Sequence, residues 1–203
     1  MSKTLDILLK LPSYVLHPFW IPTYGIALLF YVYFNNLPTV YHVWAIVGTF
    51  VLTALIPLLI SILYVRNTND SLMMNERANR IAPFIYTCFC YSFWCYFMKN
   101  GLNLPHDIVA IGYGATLALC MMTFITFFWK ISAHLICFGG IIGGVLTICC
   151  ITRQFSVPFI TILFFLAIWL CCSRTYMKSH TPEQLAVGFI IGLLATFSPS
   201  FFM

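Results

Sequence analysis

A chain of 203 residues that is 62% hydrophobic and 7% charged, with a mean hydropathy of +0.96, cannot be a water-soluble globule. Soluble domains carry about 25% charged residues; ten Lys+Arg and five Asp+Glu are too few to solvate this surface, so most of it faces lipid. Cytosolic enzymes, disordered chains and secreted disulfide scaffolds are excluded, and a net charge of +5 scattered between apolar runs makes no nucleic-acid patch.

The first residues, MSKTLDILLKLPS, set Lys3, Asp6 and Lys10 among leucines and offer no small-residue cleavage site. Residues 1–15 read as an amphipathic helix lying on the membrane surface. Seven apolar runs follow, at about 18–34, 43–65, 81–98, 108–129, 131–152, 155–172 and 185–203. The first is entered through His17-Pro18 and contains Pro22. At about 20 apolar residues per crossing, these runs predict seven spanning helices. They are continuous rather than alternating, which argues for helices over barrel strands, and a helix satisfies its own backbone in lipid. The fold class is therefore all-α, a polytopic bundle forming a single transmembrane domain over 1–203. Gly139, Gly140, Gly143 and Gly144 in the fifth run make two overlapping G-x-x-x-G pairs, and Gly188 and Gly192 make another in the seventh. Such spacing lets helix backbones approach closely, here read as packing within the chain. The nine cysteines lie in or at the ends of apolar runs, with no C-x-x-C, and read as small hydrophobes.

The polar residues carry the functional information. Three polar segments, 66–80, 130–134 and 173–184, are each separated by two crossings, so all three emerge on the face that also holds the N-terminus. Lys3, Lys10, Arg66, Arg77, Arg80, Lys130, Arg174 and Lys178 lie there, against Lys99 and Arg153 opposite. Two explanations stand side by side. One is the positive-inside rule, which would make this face cytoplasmic. The other is an anion site where helix-end loops converge, since positive charge and helix N-termini both favour phosphate. His134, in KISAHL, and His180, in SRTYMKSHTPEQ, fall on this face, each with a serine and a basic residue nearby. His17 reads as an interfacial anchor, and His42 and His106 as surface residues of the other face. Thr181-Pro182-Glu183 reads as a helix start, placing His180 just before a positive dipole end.

Ser173-Arg174, five residues, then His180 resembles the third signature of the type-2 phosphatidic-acid phosphatase superfamily, S-R-x5-H-x3-D. Ile131-Ser132-Ala133-His134 resembles the second, P-S-G-H, and NERANRIAP (75–83) lies where the first, K-x6-R-P, belongs. Together with HPFWIPTYG near the N-terminus, these segments resemble a Bacteroidetes-type membrane branch of that superfamily, the likeness covering about 66–192. There are departures. Aligned on Pro83, the family Lys and Arg fall on Asn75 and Ala82, the Pro and Gly of the second signature are Ile131 and Ala133, and the family Asp is Gln184.

The resemblance implies a membrane lipid-phosphate phosphatase working without cofactor or metal through a phospho-histidine. Carried over by position, it makes His180 the nucleophile, His134 the acid and then the base for water, and Gln184 the residue that orients the nucleophilic ring. It makes Arg174, Ser132, Arg77, Arg80, Lys130 and Ser173 phosphate-binding residues. Phosphoryl transfer needs chiefly positioning and positive charge, which such residues supply. The implied partners are membrane lipids and a lipid-phosphate substrate, in a bacterial inner membrane with the site facing the periplasm. An amide at 184 orients a ring but brings no negative charge, so a catalytically weak or inactive lipid-phosphate binder, or a subunit of a membrane complex, stands as the alternative.

Overall fold

The structure, a computed structural model, describes residues 3–68 and 78–197. Those residues form helices joined by short turns: α1 (Lys3–Val15), α2 (Ile21–Val32), α3 (Thr39–Thr49), a π-helical stretch (Phe50–Leu55), α4 (Ile56–Thr68), α5 (Ala78–Asn100), α6 (His106–Thr126), α7 (Ala133–Thr152), α8 (Val157–Tyr176) and α9 (Pro182–Phe197). Among the described residues, each apolar run contains a helix. Five helical spans are long and apolar enough to cross a membrane: Thr39–Arg66, Asn79–Asn100, His106–Thr126, Ala133–Thr152 and Val157–Tyr176. The other two runs give shorter apolar helices, α2 of 12 residues and α9 of 16. At 1.5 Å per residue α2 extends about 18 Å, short of a hydrocarbon core about 30 Å thick, and α9 extends about 24 Å over its described residues. Among the described residues, five of the seven expected spans are thus met by length and composition. The first run falls short because His17-Pro18 opens a turn, so helix begins only at Ile21, with a proline in its first turn.

The π-helical stretch has a local cause. Pro57 has no N–H to give the carbonyl of Thr53, and its ring would press on that carbonyl in a regular α-turn. The backbone widens instead, with Ile56 N–H reaching back to Val51 O.

α7 and α9 form the centre of the bundle and run parallel. Gly192 lies against the Ile136 carbonyl, Gly139 against that of Phe189, and Gly143 against Leu193 and Thr196. The glycine pairs of the two runs therefore meet each other, and a Cβ at Gly192 would strike backbone. Thr196 Oγ1 donates to Gly140 O at 2.9 Å, tying the far end. The α5–α6 pair is antiparallel, with Cys88 beside Thr123 and Cys95 beside Thr116. Large apolar side chains such as Phe89, Phe124, Phe165 and Ile168 cover the outside, as a lipid-facing surface requires. One end of the bundle gathers the starts of α5, α7 and α9 and the ends of α1, α6 and α8.

Candidate functional site

The α8–α9 connection sets the geometry of that end. Ser179 N–H donates to Arg174 O at 3.2 Å and Lys178 N–H to Thr175 O at 2.9 Å, the paired bonds of a Schellman stop. Lys178 supplies the left-handed residue, at φ 51°, normally a glycine position. The reversal keeps Arg174 in the last turn of α8 and delivers His180 directly onto the start of α9. Lys178 itself is exposed and is not one of the charges acting on His180.

His180 is half-buried, and its Nδ1 lies 3.0 Å from Gln184 Oε1. The same oxygen accepts the Thr181 backbone N–H at 3.3 Å, one arm of a capping box at the N-terminus of α9. Because that backbone N–H can only donate, it fixes which end of the amide is oxygen. His180 Nδ1 must then be the donor, which leaves Nε2 with a lone pair. Burial pushes the His180 imidazole down to about 4, opposed by the Gln184 hydrogen bond and reinforced by three cations, Arg174, Lys130 and Arg80. His180 is therefore neutral at physiological pH. Lys130, in the α6–α7 turn, is lowered by its own burial and then by Arg80 and Arg174. The charges acting on these groups are cations alone.

Ser132 takes the N-cap position of α7 in extended conformation, and its carbonyl lies against Gly188 of α9. Its hydroxyl is fully buried and has no hydrogen-bond partner; the same holds for Nε of the buried Arg174. An unsatisfied buried polar group costs about 1–3 kcal/mol. Two of them, beside excess positive charge and the N-termini of α7 and α9, describe a place suited to an oxyanion.

His134, in the first turn of α7, is buried, with Arg174, His17 and His180 as its titratable neighbours. Its Nε2 donates to the Ser13 carbonyl across 3.1 Å. Helix α1 thus closes over the site. Ser13 Oγ and Ser173 Oγ share a buried hydrogen bond of 2.7 Å, and Asp6 accepts from Tyr176 Oη at 2.9 Å and from Lys10 Nζ at 2.9 Å. His17 stands edge-on to His134, ring centres 5.4 Å apart, and its Nδ1 faces the Phe19 N–H at 3.4 Å. Burial, then Arg174, hold the His17 imidazole below its usual range.

The structure accordingly gathers His134, His180, Gln184, Arg174, Ser132, Lys130 and Arg80 at one end of the bundle. Arg77, with Asn75 and Glu76, lies outside the described residues. Ser173, expected among the phosphate ligands, uses its hydroxyl to hold Ser13. His17, expected to be an interfacial anchor, and Ser13 join the site unannounced. Their only sequence signal is that the N-terminus shares the basic face. Among the described residues, no group of three His, Cys, Asp or Glu side chains forms a metal-ligand cluster. Compared with known proteins, the chain matches no protein-family model, no curated protein and no solved structure.

Proposed function

We propose that this chain is an integral-membrane phosphatase that hydrolyses a phosphomonoester or diphosphate of a lipid, with α2 and α9 completing seven crossings. One observation carries the reading: a neutral imidazole with a free Nε2 sits at a helix N-terminus among Arg174, Lys130 and Arg80, beside two buried donors that lack partners. The likeness of residues 131–134 and 173–180 to superfamily signatures supports the same assignment.

The chemistry follows from the geometry. Arg174 presents a planar pair of donors to two phosphoryl oxygens, and Lys130, Arg80 and the Ser132 hydroxyl neutralise the rest. His180 Nε2 attacks phosphorus, the P–O bond to the leaving group breaks, and the leaving oxygen takes a proton from His134, which acts in its charged form beside the phosphate dianion. Water then attacks the phospho-histidine, giving its proton to His134, and inorganic phosphate leaves. Gln184 holds the reactive tautomer throughout. His134 reaches the leaving group only after exchanging its bond to the Ser13 carbonyl, so α1 must loosen during turnover. A bacterial inner membrane with the site facing the periplasm is part of this proposal.

The bond from His134 to Ser13 and the amide at 184 favour a second reading, a lipid-phosphate binder without turnover. Phosphate release from a panel of lipid phosphates, comparing wild type with His180→Ala, His134→Ala and Arg174→Ala, decides between them. The enzyme reading expects release by wild type and at least a 100-fold loss in each variant. Equal background release from all four removes it, and retained binding lost only in Arg174→Ala then favours the binder.

A further inference from the structure

Below the cation cluster, a cavity of about 130 Å³ lies between α2, α5, α6 and α7, with Thr49 of α3, Thr53 of the π-helical stretch and Thr196 of α9 also on its wall. Along α7 its wall runs from Ile136, two residues past His134, to Val145. At 1.5 Å per residue that is about 14 Å of depth. The wall is almost wholly apolar, with Leu29, Trp94 and Leu119 facing Ile136, Ile141 and Val145. The threonine hydroxyls and the Trp94 indole on it are hydrogen-bonded. Thr49 Oγ1 donates to Ala45 O at 2.7 Å and accepts from Trp94 Nε1 at 2.9 Å; Thr53 Oγ1 donates to Thr49 O at 2.7 Å. An apolar cavity of this size stays dry and accepts apolar guests.

Two features shape the wall. The π-helical stretch puts Thr53 on the wall, one turn past Thr49 at the end of α3. Gly140 also lines it, and a Cβ there would meet only Thr196 Cγ2 at 3.6 Å and Gly192 O at 4.0 Å, ordinary contacts. Helix packing therefore does not demand a glycine at 140, unlike at 139, 143 and 192. A methyl at 140 would lie beside Thr196, which also lines the cavity.

We propose that this cavity takes the apolar chain of a single-chain lipid phosphate whose head group occupies the cation cluster above it. The inference rests on the phosphate reading and narrows it to a class. A slot about 14 Å deep with this volume admits one chain, either a straight alkyl or an isoprenoid, and not the two tails of a diacyl lipid. A chain arriving from the bilayer gains close packing rather than transfer from water, so the slot selects by shape and length.

The test is photolabelling of the full chain in lipid nanodiscs with dodecyl phosphate carrying a terminal diazirine. The expected label falls on 136–145 of α7 and 91–98 of α5. Excess dodecyl phosphate competes it away, and it drops at least tenfold in the cavity-filling variant Ala118→Phe. Gly140→Ala, which adds one methyl in ordinary contact, guards against misfolding and is expected to lower labelling severalfold. Farnesyl phosphate and dodecyl phosphate, compared as competitors, tell the isoprenoid from the straight chain. Label confined to lipid-facing Phe89 and Phe165, unchanged in both filled variants, overturns the cavity assignment. Equal competition by dodecanol, with undiminished cavity labelling in Arg174→Gln, overturns the phosphate reading instead, and with it the phosphate-bearing ligand, while the chain site remains.

Discussion

Replacing Gln184 by glutamate adds one negative charge to the ring that the mechanism uses, and leaves the local backbone alone. Glutamate is as good a capping-box residue as glutamine and has the same reach, so the Thr181 N–H keeps its acceptor. A carboxylate oxygen replacing Oε1 stands 3.0 Å from Nδ1. With charge centres about 4 Å apart, an imidazolium and a carboxylate attract by about 4 kcal/mol at an effective permittivity near 20. His180 is half-buried, and water screens part of this. Taking half, about 2 kcal/mol, moves the imidazole up by about 1.5 pH units. The sign is fixed, because a negative neighbour favours the charged ring. His180 therefore titrates near about 5.5 in Gln184→Glu, against about 4 in the wild type. The assay is an NMR pH titration of histidine ring carbons in micelles, assigned with His180→Ala. Phosphate release at pH 7 should rise about tenfold, since the transition state places positive charge on this ring. An unmoved or lowered His180 titration refutes the contact between residues 180 and 184.

Because His180 sits near 4 when folded and near 6.5 when unfolded, the unfolded chain binds the extra proton between those values. That contribution is complete above about pH 6.5 and lost as pH falls toward 4, at most about 3 kcal/mol; the thermal midpoint of His180→Ala should fall less over that window than that of wild type. In Gly192→Val the new Cβ meets Ile136 C at 2.8 Å and Gly140 N at 2.9 Å, backbone atoms that cannot turn aside. This overpacking costs about 1–3 kcal/mol or more and lifts α9, so the thermal midpoint and any phosphate binding should fall together. Ser132→Ala removes an orphaned hydroxyl, so the unliganded protein should be as stable or up to about 1 kcal/mol more stable, while phosphate binding weakens about three- to tenfold in titration. Lys178→Gly relieves a left-handed lysine, raising stability by about 1 kcal/mol and leaving phosphate binding unchanged.

Much of this arrangement is legible in the amino-acid sequence. Counting crossings between polar segments places 66–80, 130–134 and 173–184 on one face, and the helix start at Thr181-Pro182-Glu183 puts His180 on a positive dipole end. Periodicity cannot say where an amphipathic helix docks. Ser13 and His17 carry no linear signal of their role for that reason, since their place depends on α1 lying along the end of α8. Likewise the G-x-x-x-G pairs announce close packing but not a partner; only three dimensions show runs five and seven meeting in parallel. Hydropathy also does not say where helix begins. It registers 18–34 as one apolar run, whereas His17-Pro18 diverts the backbone and leaves 12 helical residues. The cavity is equally hidden, being a space among helices far apart in sequence.

Whether His180 carries the phosphoryl group is tested most directly by trapping it. Wild type turning over a ³²P-labelled lipid phosphate is quenched rapidly without acid, and its peptides are mapped. Base-stable, acid-labile label on His180, absent from His180→Ala, is the expected result. Phosphate release without any label on that residue, or label persisting in His180→Ala, contradicts it.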